Sequence, residues 1–251
     1  MTTGRETATY VFCLVQSARK PSVRGVPDSV PGAGVPRVIP IDRQIWAVVA
    51  DAPLERFGGE QLSNELQDIE SISRHALAHA AVVEFFFRRS PVIPLKLFTL
   101  FSADARVQQH LRSRRARLRT LFTQLHGLEE WGIRVITREV EAEPAQTATS
   151  GRDYLQVKKR LSEGGGAAPR RSVKDAAAAL KALARQASKV RKDSFPRGRG
   201  RPYVAGASFL VKAKRRNQWR REVARLSAAL AKQGHRLEVT GPWPPYHFVS
   251  R

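Results

Sequence analysis

The sequence predicts an α+β protein of two domains, residues 1–128 and 129–251. Three observations carry this. Short runs rich in β-branched and aromatic residues recur along the chain, as strands require. Long stretches with apolar residues three and four apart lie between them, as helices require. The length, 251 residues, and the 42% hydrophobic content suffice for one large core or two small ones.

Tyr10–Val15 is the first strand, a short apolar run. Residues 21–36 are rich in proline and glycine and form a loop. Val38–Ile41 and Ile45–Ala50 flank Asp42-Arg43-Gln44 and predict a hairpin. Ser71–Arg88 is a helix with Ser71 as its N-cap, and Pro91 and Pro94 end it. Ile93–Phe101 is a strongly apolar strand. A long amphipathic helix from Ala103 to His126 stops at Gly127, its arginines (Arg112, Arg115, Arg117, Arg119) on a solvated face.

Trp131–Val140 is a strand, and Asp153–Ser162 a helix that Gly164–Gly166 breaks. Ser172–Lys192 is an alanine-rich helix with a seam of Val173, Ala176, Leu180, Leu183, Ala187 and Val190. Val204–Lys212 is a strand, Asn217–Gln233 a helix ended by Gly234, and Arg236–Thr240 a strand. Strand, helices, strand, helix and strand from Trp131 onward predict a ferredoxin-like sheet covered by helices.

Lys and Arg number 44 against 22 Asp and Glu, a net charge of +22. The excess is local: residues 1–150 carry 19 basic and 16 acidic side chains, whereas residues 151–251 carry 25 and 6. It is densest in the 152–203 region, expected to be partly flexible and able to meet an anionic partner. Cys13 is the single cysteine, which excludes an intrachain disulfide and any cysteine-built metal cluster. No apolar run reaches bilayer-spanning length, and the N-terminus lacks a basic leader, so no membrane contact is expected.

Few residues carry a chemical signature. His75 and His79 have the four-residue spacing of helical metal ligands, but no glutamate follows the first and packing explains the pair. No nucleophile elbow and no phosphate-binding glycine loop is present. Catalytic, cofactor and metal sites are therefore expected to be absent. Arg197, Arg199 and Arg201 lie in a Pro-Arg-Gly-Arg-Gly-Arg-Pro stretch whose Arg199–Pro202 core resembles an AT-hook, a minor-groove DNA ligand. A mobile basic loop is the competing reading. Pro242 and Pro245 form a Pro-x-x-Pro spacing that suits an aromatic-lined groove, or else holds the chain extended while Trp243, Tyr246 and Phe248 enter the domain.

The closing run from Thr240 to Val249, Thr-Gly-Pro-Trp-Pro-Pro-Tyr-His-Phe-Val, resembles the signature of the gas vesicle protein F/L family. Tyr10–Val15, Val30–Gly34, Ile45–Asp51, His79–Phe101, Glu130–Val135, Ser150–Leu155 and Ala207–Val211 follow the family's order. Pro94, Gly151, Tyr154, Gly241, Pro242, Trp243, Pro244, Pro245 and Tyr246 belong to these motifs and are read as structural. One block departs from the family: Lys96-Leu97-Phe98 stands where it usually reads Arg-Phe-Gly. Phenylalanine for glycine is expected to fill space and remove the need for a special backbone angle. The resemblance implies a non-enzymatic, cytoplasmic protein of gas vesicle assembly that binds the small hydrophobic shell protein and other gas vesicle proteins. DNA binding through residues 152–203 is the alternative.

Overall fold

A computed structural model describes residues 6–137, 170–192 and 203–249. These form two compact units. One runs up to Gly127 and takes in the chain from Trp243 onward; the other is Leu128–Pro242. The closing segment, grouped by sequence with the second domain, joins the first because Tyr246 packs against its core.

The first unit is built on β1 (Thr7–Gln16), β2 (Arg37–Asp42), β3 (Ile45–Pro53), β4 (Val92–Pro94) and β5 (Leu100–Phe101). The sheet order is β2-β3-β1-β4, with β5 also pairing β1. β1 runs antiparallel to β3, β4 and β5, and its register with β3 shifts between Val11 and Cys13. It is buried along almost its whole length, so its sequence reads as a continuous apolar run rather than an alternating one.

Helices explain that burial. α1 (Leu54–Phe57) and α2 (Gly59–Glu65) follow β3. α3 (Ile69–Phe87) packs Val82, Val83, Phe85 and Phe86 with Tyr10, Phe12, Val48 and Ala50 from one face of the sheet. α4 (Asp104–Arg112) and α5 (Arg115–Leu125) serve the other face, from which Thr9 donates to Asp104 at 2.9 Å. The N-cap of α3 is Asp68, not Ser71: its carboxylate accepts from the amides of Glu70 and Ser71 at 3.1 Å each. The helix expected from 103 to 126 is two helices. Ser113 Oγ bonds back to the His110 carbonyl at 2.8 Å where they part, a local bond that competes with the helical ladder.

The strand expected over Ile93–Phe101 is likewise divided. β4 and β5 are its ends, and residues 95–99 turn between them, with Leu95 donating to the Phe12 carbonyl and Val11 to the Thr99 carbonyl.

The second unit contains β6 (Leu128–Thr137), α6 (Arg170–Ala184), β7 (Lys189–Lys192), β8 (Tyr203–Lys212), α7 (Arg216–Ala231) and β9 (His235–Trp243). The sheet order is β7-β8-β6-β9, which with this chain order is the ferredoxin-like arrangement. Trp131, Ile133, Val135, Phe209 and Val211 face α6 and α7, which contribute Ala176, Ala179, Leu183, Trp219, Val223 and Leu226. α6 stops at Ala184, and the last part of the expected Ser172–Lys192 helix is the edge strand β7. Of its seam, Ala176 and Leu183 are buried in the core, and Leu180 and Ala187 pack against it. Val190 is exposed and pairs with Phe209, so sheet pairing overrides helical periodicity.

Replacing Asp68 by Ala leaves two amides of α3 unsatisfied and should lower stability by about 1 kcal/mol in urea unfolding. A change within error would show that Asp68 does not cap the helix.

Candidate functional site

The first unit has a buried polar hub where β1, α3 and the 95–99 turn meet. Tyr10 is fully buried and its hydroxyl lies 2.8 Å from His79 Nδ1. His79 Nε2 is 3.2 Å from the Leu95 carbonyl, and the Phe98 amide donates to the Tyr10 hydroxyl at 3.3 Å. A carbonyl only accepts, so the proton sits on Nε2. Nδ1 then accepts from Tyr10, whose oxygen accepts from Phe98, and every polar atom of the hub is satisfied. Burial lowers the His79 pKa to about 4, against a rise from its bond to Leu95, so the ring is neutral. Burial likewise raises the Tyr10 hydroxyl well above its usual range, so it stays protonated.

Aromatic rings enclose this hub. Phe12 lies 5.5 Å from the His79 ring, Phe57 6.1 Å from Tyr10, and Phe98 6.5 Å from Tyr10 and 5.3 Å from His75. His75 is also buried, with Nδ1 at 2.9 Å from the Ser71 carbonyl and Nε2 at 3.2 Å from Glu65 Oε2. The two histidines are thus committed to different partners rather than to one metal. Among the described residues, no group of three or more His, Cys, Asp or Glu side chains is arranged to hold a metal ion.

Phe98 departs from the sequence expectation. Its φ is 58°, the left-handed region that glycine tolerates and a bulky side chain resists. The departure from the family's glycine has kept the special backbone angle rather than removed it. Ring packing on Tyr10 and His75, with the amide bond to Tyr10, offsets the strain.

A second network joins the sheet to α4. Arg37 holds Asp104 with bonds of 2.6 and 3.0 Å and Asp51 with one of 2.6 Å. These bonds from Arg37, assisted by Thr9, keep the Asp104 carboxyl below the usual carboxylate range. The free edge of β2 is closed as well. Gln108 donates to the Pro40 carbonyl at 3.0 Å, Arg112 to the Ile41 carbonyl at 3.1 Å, and Arg119 pairs with Asp42. Arg112 and Arg119 are exposed, as expected, and they also shield a sheet edge. In the second unit, Arg216 holds the buried Glu129 at 2.6 Å, and the Trp131 indole donates to the same carboxylate at 3.0 Å.

The sequence profile of the gas vesicle synthesis protein GvpL/GvpF family matches residues 8–250. The chain belongs to that family. Gas vesicle protein L of Streptomyces sp. (strain CB03234) is 29% identical over 216 residues, covering 81% of this chain and 79% of that protein. The crystal structure of GvpF from Anabaena sp. PCC7120 superposes with a TM-score of 0.66 at 16% identity, over 98% of this chain and 97% of that one. GvpF from Microcystis aeruginosa gives 0.63 at 13% identity, over 97% and 99%. These two likenesses establish a shared mixed helix–strand fold.

The GvpL/GvpF motif residues occupy distinct places in this chain. Pro94 is buried in β4 opposite Cys13. Gly241 has a φ of 114° and precedes Pro242 at the end of β9. Trp243 is 40% exposed, whereas Pro244 and Pro245 are buried and Tyr246 packs on the first core. With Pro245 buried and Pro242 half-buried, the Pro-x-x-Pro spacing is not a free docking strip. Gly151, Tyr154, Arg197, Arg199, Arg201 and Gly164–Gly166 lie outside the described residues. No helix among the described residues is long and apolar enough to cross a membrane.

The hub has only a faint signature in the sequence. His79 interrupts the apolar face of a helix, and Tyr10 puts a hydroxyl into an otherwise apolar strand.

Truncating Phe98 gives an inverted order. Phe98→Ala loses the ring and keeps the left-handed penalty, whereas Phe98→Gly loses the ring and sheds the penalty. The glycine variant should be the more stable of the two by about 1 kcal/mol in chemical denaturation. The ordinary order, alanine above glycine, would contradict a left-handed residue 98.

Proposed function

We propose that this protein takes part in gas vesicle formation by binding the small hydrophobic shell protein, together with other gas vesicle proteins, and that it catalyses no reaction. Membership of a gas vesicle synthesis family supports the process. The observation that carries the binding role is the exposure of aliphatic side chains on the first unit. Val35 is 80% exposed, Ile69 81%, Leu66 46% and Leu54 38%, all near or within the α1–α3 segment except Val35, whose neighbour Gly34 bonds to Asp51 of β3.

A protein that builds a hydrophobic wall must be kept from aggregating before it is placed. Exposed aliphatic side chains on a rigid scaffold can hold such a subunit while charged neighbours keep the complex dissolved. The closed β2 edge and the hub keep that scaffold from rearranging or self-pairing through its sheet.

Pull-down with the cognate shell protein, beside an unrelated protein of similar pI, tests the reading. The native chain should enrich the shell protein, and Val35→Asp combined with Leu66→Asp should lower capture about tenfold with unchanged circular dichroism. Equal capture by the basic control, or no loss in the double variant, would count against it.

A further inference from the structure

The solvent face of α3 carries a pattern that the core does not use. Glu70, Arg74, Leu77, Ala81, Glu84 and Arg88 recur at alternating spacings of four and three, the seam period of paired helices. Glu70, Arg74, Leu77 and Arg88 are exposed, Leu77 by 73%, and Ala81 and Glu84 are half-buried. The inward face of the same helix is a different set that includes His75, His79, Val82, Val83 and Phe86.

In chain order this face reads acid, base, Leu, Ala, acid, base. In reverse it reads base, acid, Ala, Leu, base, acid. An antiparallel second copy therefore presents the complement at every position. Glu70 meets Arg88, Arg74 meets Glu84, and Leu77 meets Ala81. A parallel copy in register would set acid on acid and base on base. Such self-complementarity is what a two-fold contact requires.

We propose that this protein self-associates through α3, as an antiparallel two-fold pair in which Leu77 of each copy seats against Ala81 of the other.

The surroundings of Ala81 fit a leucine. Gly25, Pro27, Ala81 and Phe85 line a groove of about 570 Å³, rimmed by Glu84, Arg88 and Arg89. The Arg89 guanidinium lies 3.7 Å over the Phe85 ring, which holds that wall in place. The charges are also available. Glu70 and Arg74 make no ion pair among the described residues, and Glu84 and Arg88 form an exposed pair at 3.2 Å that a second copy can extend to four charges. The seam is roughly 27 Å long at 1.5 Å per residue. A contact of that size belongs with small, transient interfaces below about 1,200 Å², so the pair should dissociate on dilution.

Sedimentation velocity on the full chain over a range of concentrations tests this. The native protein should show a monomer–dimer equilibrium that weakens with salt. Leu77→Asp should abolish it. Glu70→Arg and Arg88→Glu should each weaken it roughly fivefold. The combined variant, Glu70→Arg with Arg88→Glu, restores opposite charges across the contact and should dimerise at least as well as the native chain. A monomer at every concentration would overturn the proposal, as would a combined variant no tighter than the single ones.

Discussion

The hydroxyl of Tyr10 is where the first unit is locked. Three elements far apart in sequence meet at one oxygen atom: the central strand supplies it, α3 accepts its proton through His79, and the turn donates to it through the Phe98 amide. Deep burial makes each bond costly to lose, because no water can replace the missing partner. The same oxygen explains why a strained Phe98 is tolerated. Its amide bonds to Tyr10 while its ring closes the hub on the side of His75. Helix, strand and turn are thereby held in one register.

The two sheets share a strand order, β2-β3-β1-β4 in one and β7-β8-β6-β9 in the other. In each, the earliest strand lies inside, between the third and the fourth. They differ in what surrounds them. In the first, a proline- and glycine-rich loop replaces a helix between β1 and β2, and α4 and α5 cover the second face. α3 shares its side of the sheet with α1 and with that loop, and keeps an outer face in solvent with a groove beside its C-terminal half. A helix fixed by its inner face is a rigid platform for its outer one, which is why the exposed seam of α3 holds the geometry of a docking surface.

Much of this was legible in the sequence because it follows from burial. β1 and the hairpin were apparent from continuous apolar runs, and α5 and α7 ended at Gly127 and Gly234, which take φ values of 66° and 77°. What was hidden depended on distant partners. Ser71 and Asp68 are equally good caps by residue type, and only the backbone path shows that Asp68 precedes the first turn. Val190 fits a helical seam as well as a strand, and pairing with β8 decides. Arg112 and Arg119 look like any exposed arginine until the open edge of β2 is beside them. The motif at 96–98 misled for a further reason. Residue preference for a backbone angle is a cost, and packing can outweigh it. The family resemblance was legible in the closing aromatic run, whereas the hub uses common residues with no motif of their own.

The hub depends on a neutral His79, because a protonated ring would point a second N–H at Tyr10 and break the chain of bonds. Burial holds its folded pKa at about 4, below the ordinary 6.5. Between these values the unfolded chain binds the proton more readily. The stability that the neutral ring contributes is therefore complete above about pH 6.5 and is lost as pH falls toward 4. The most direct measurement is a nitrogen-15 NMR titration of the histidine rings, with His79 assigned by its disappearance in a His79→Gln variant. The expected result is a neutral ring at pH 6 with its proton on Nε2, titrating only near pH 4. A ring already half protonated near pH 6.5, or one carrying its proton on Nδ1, would contradict it.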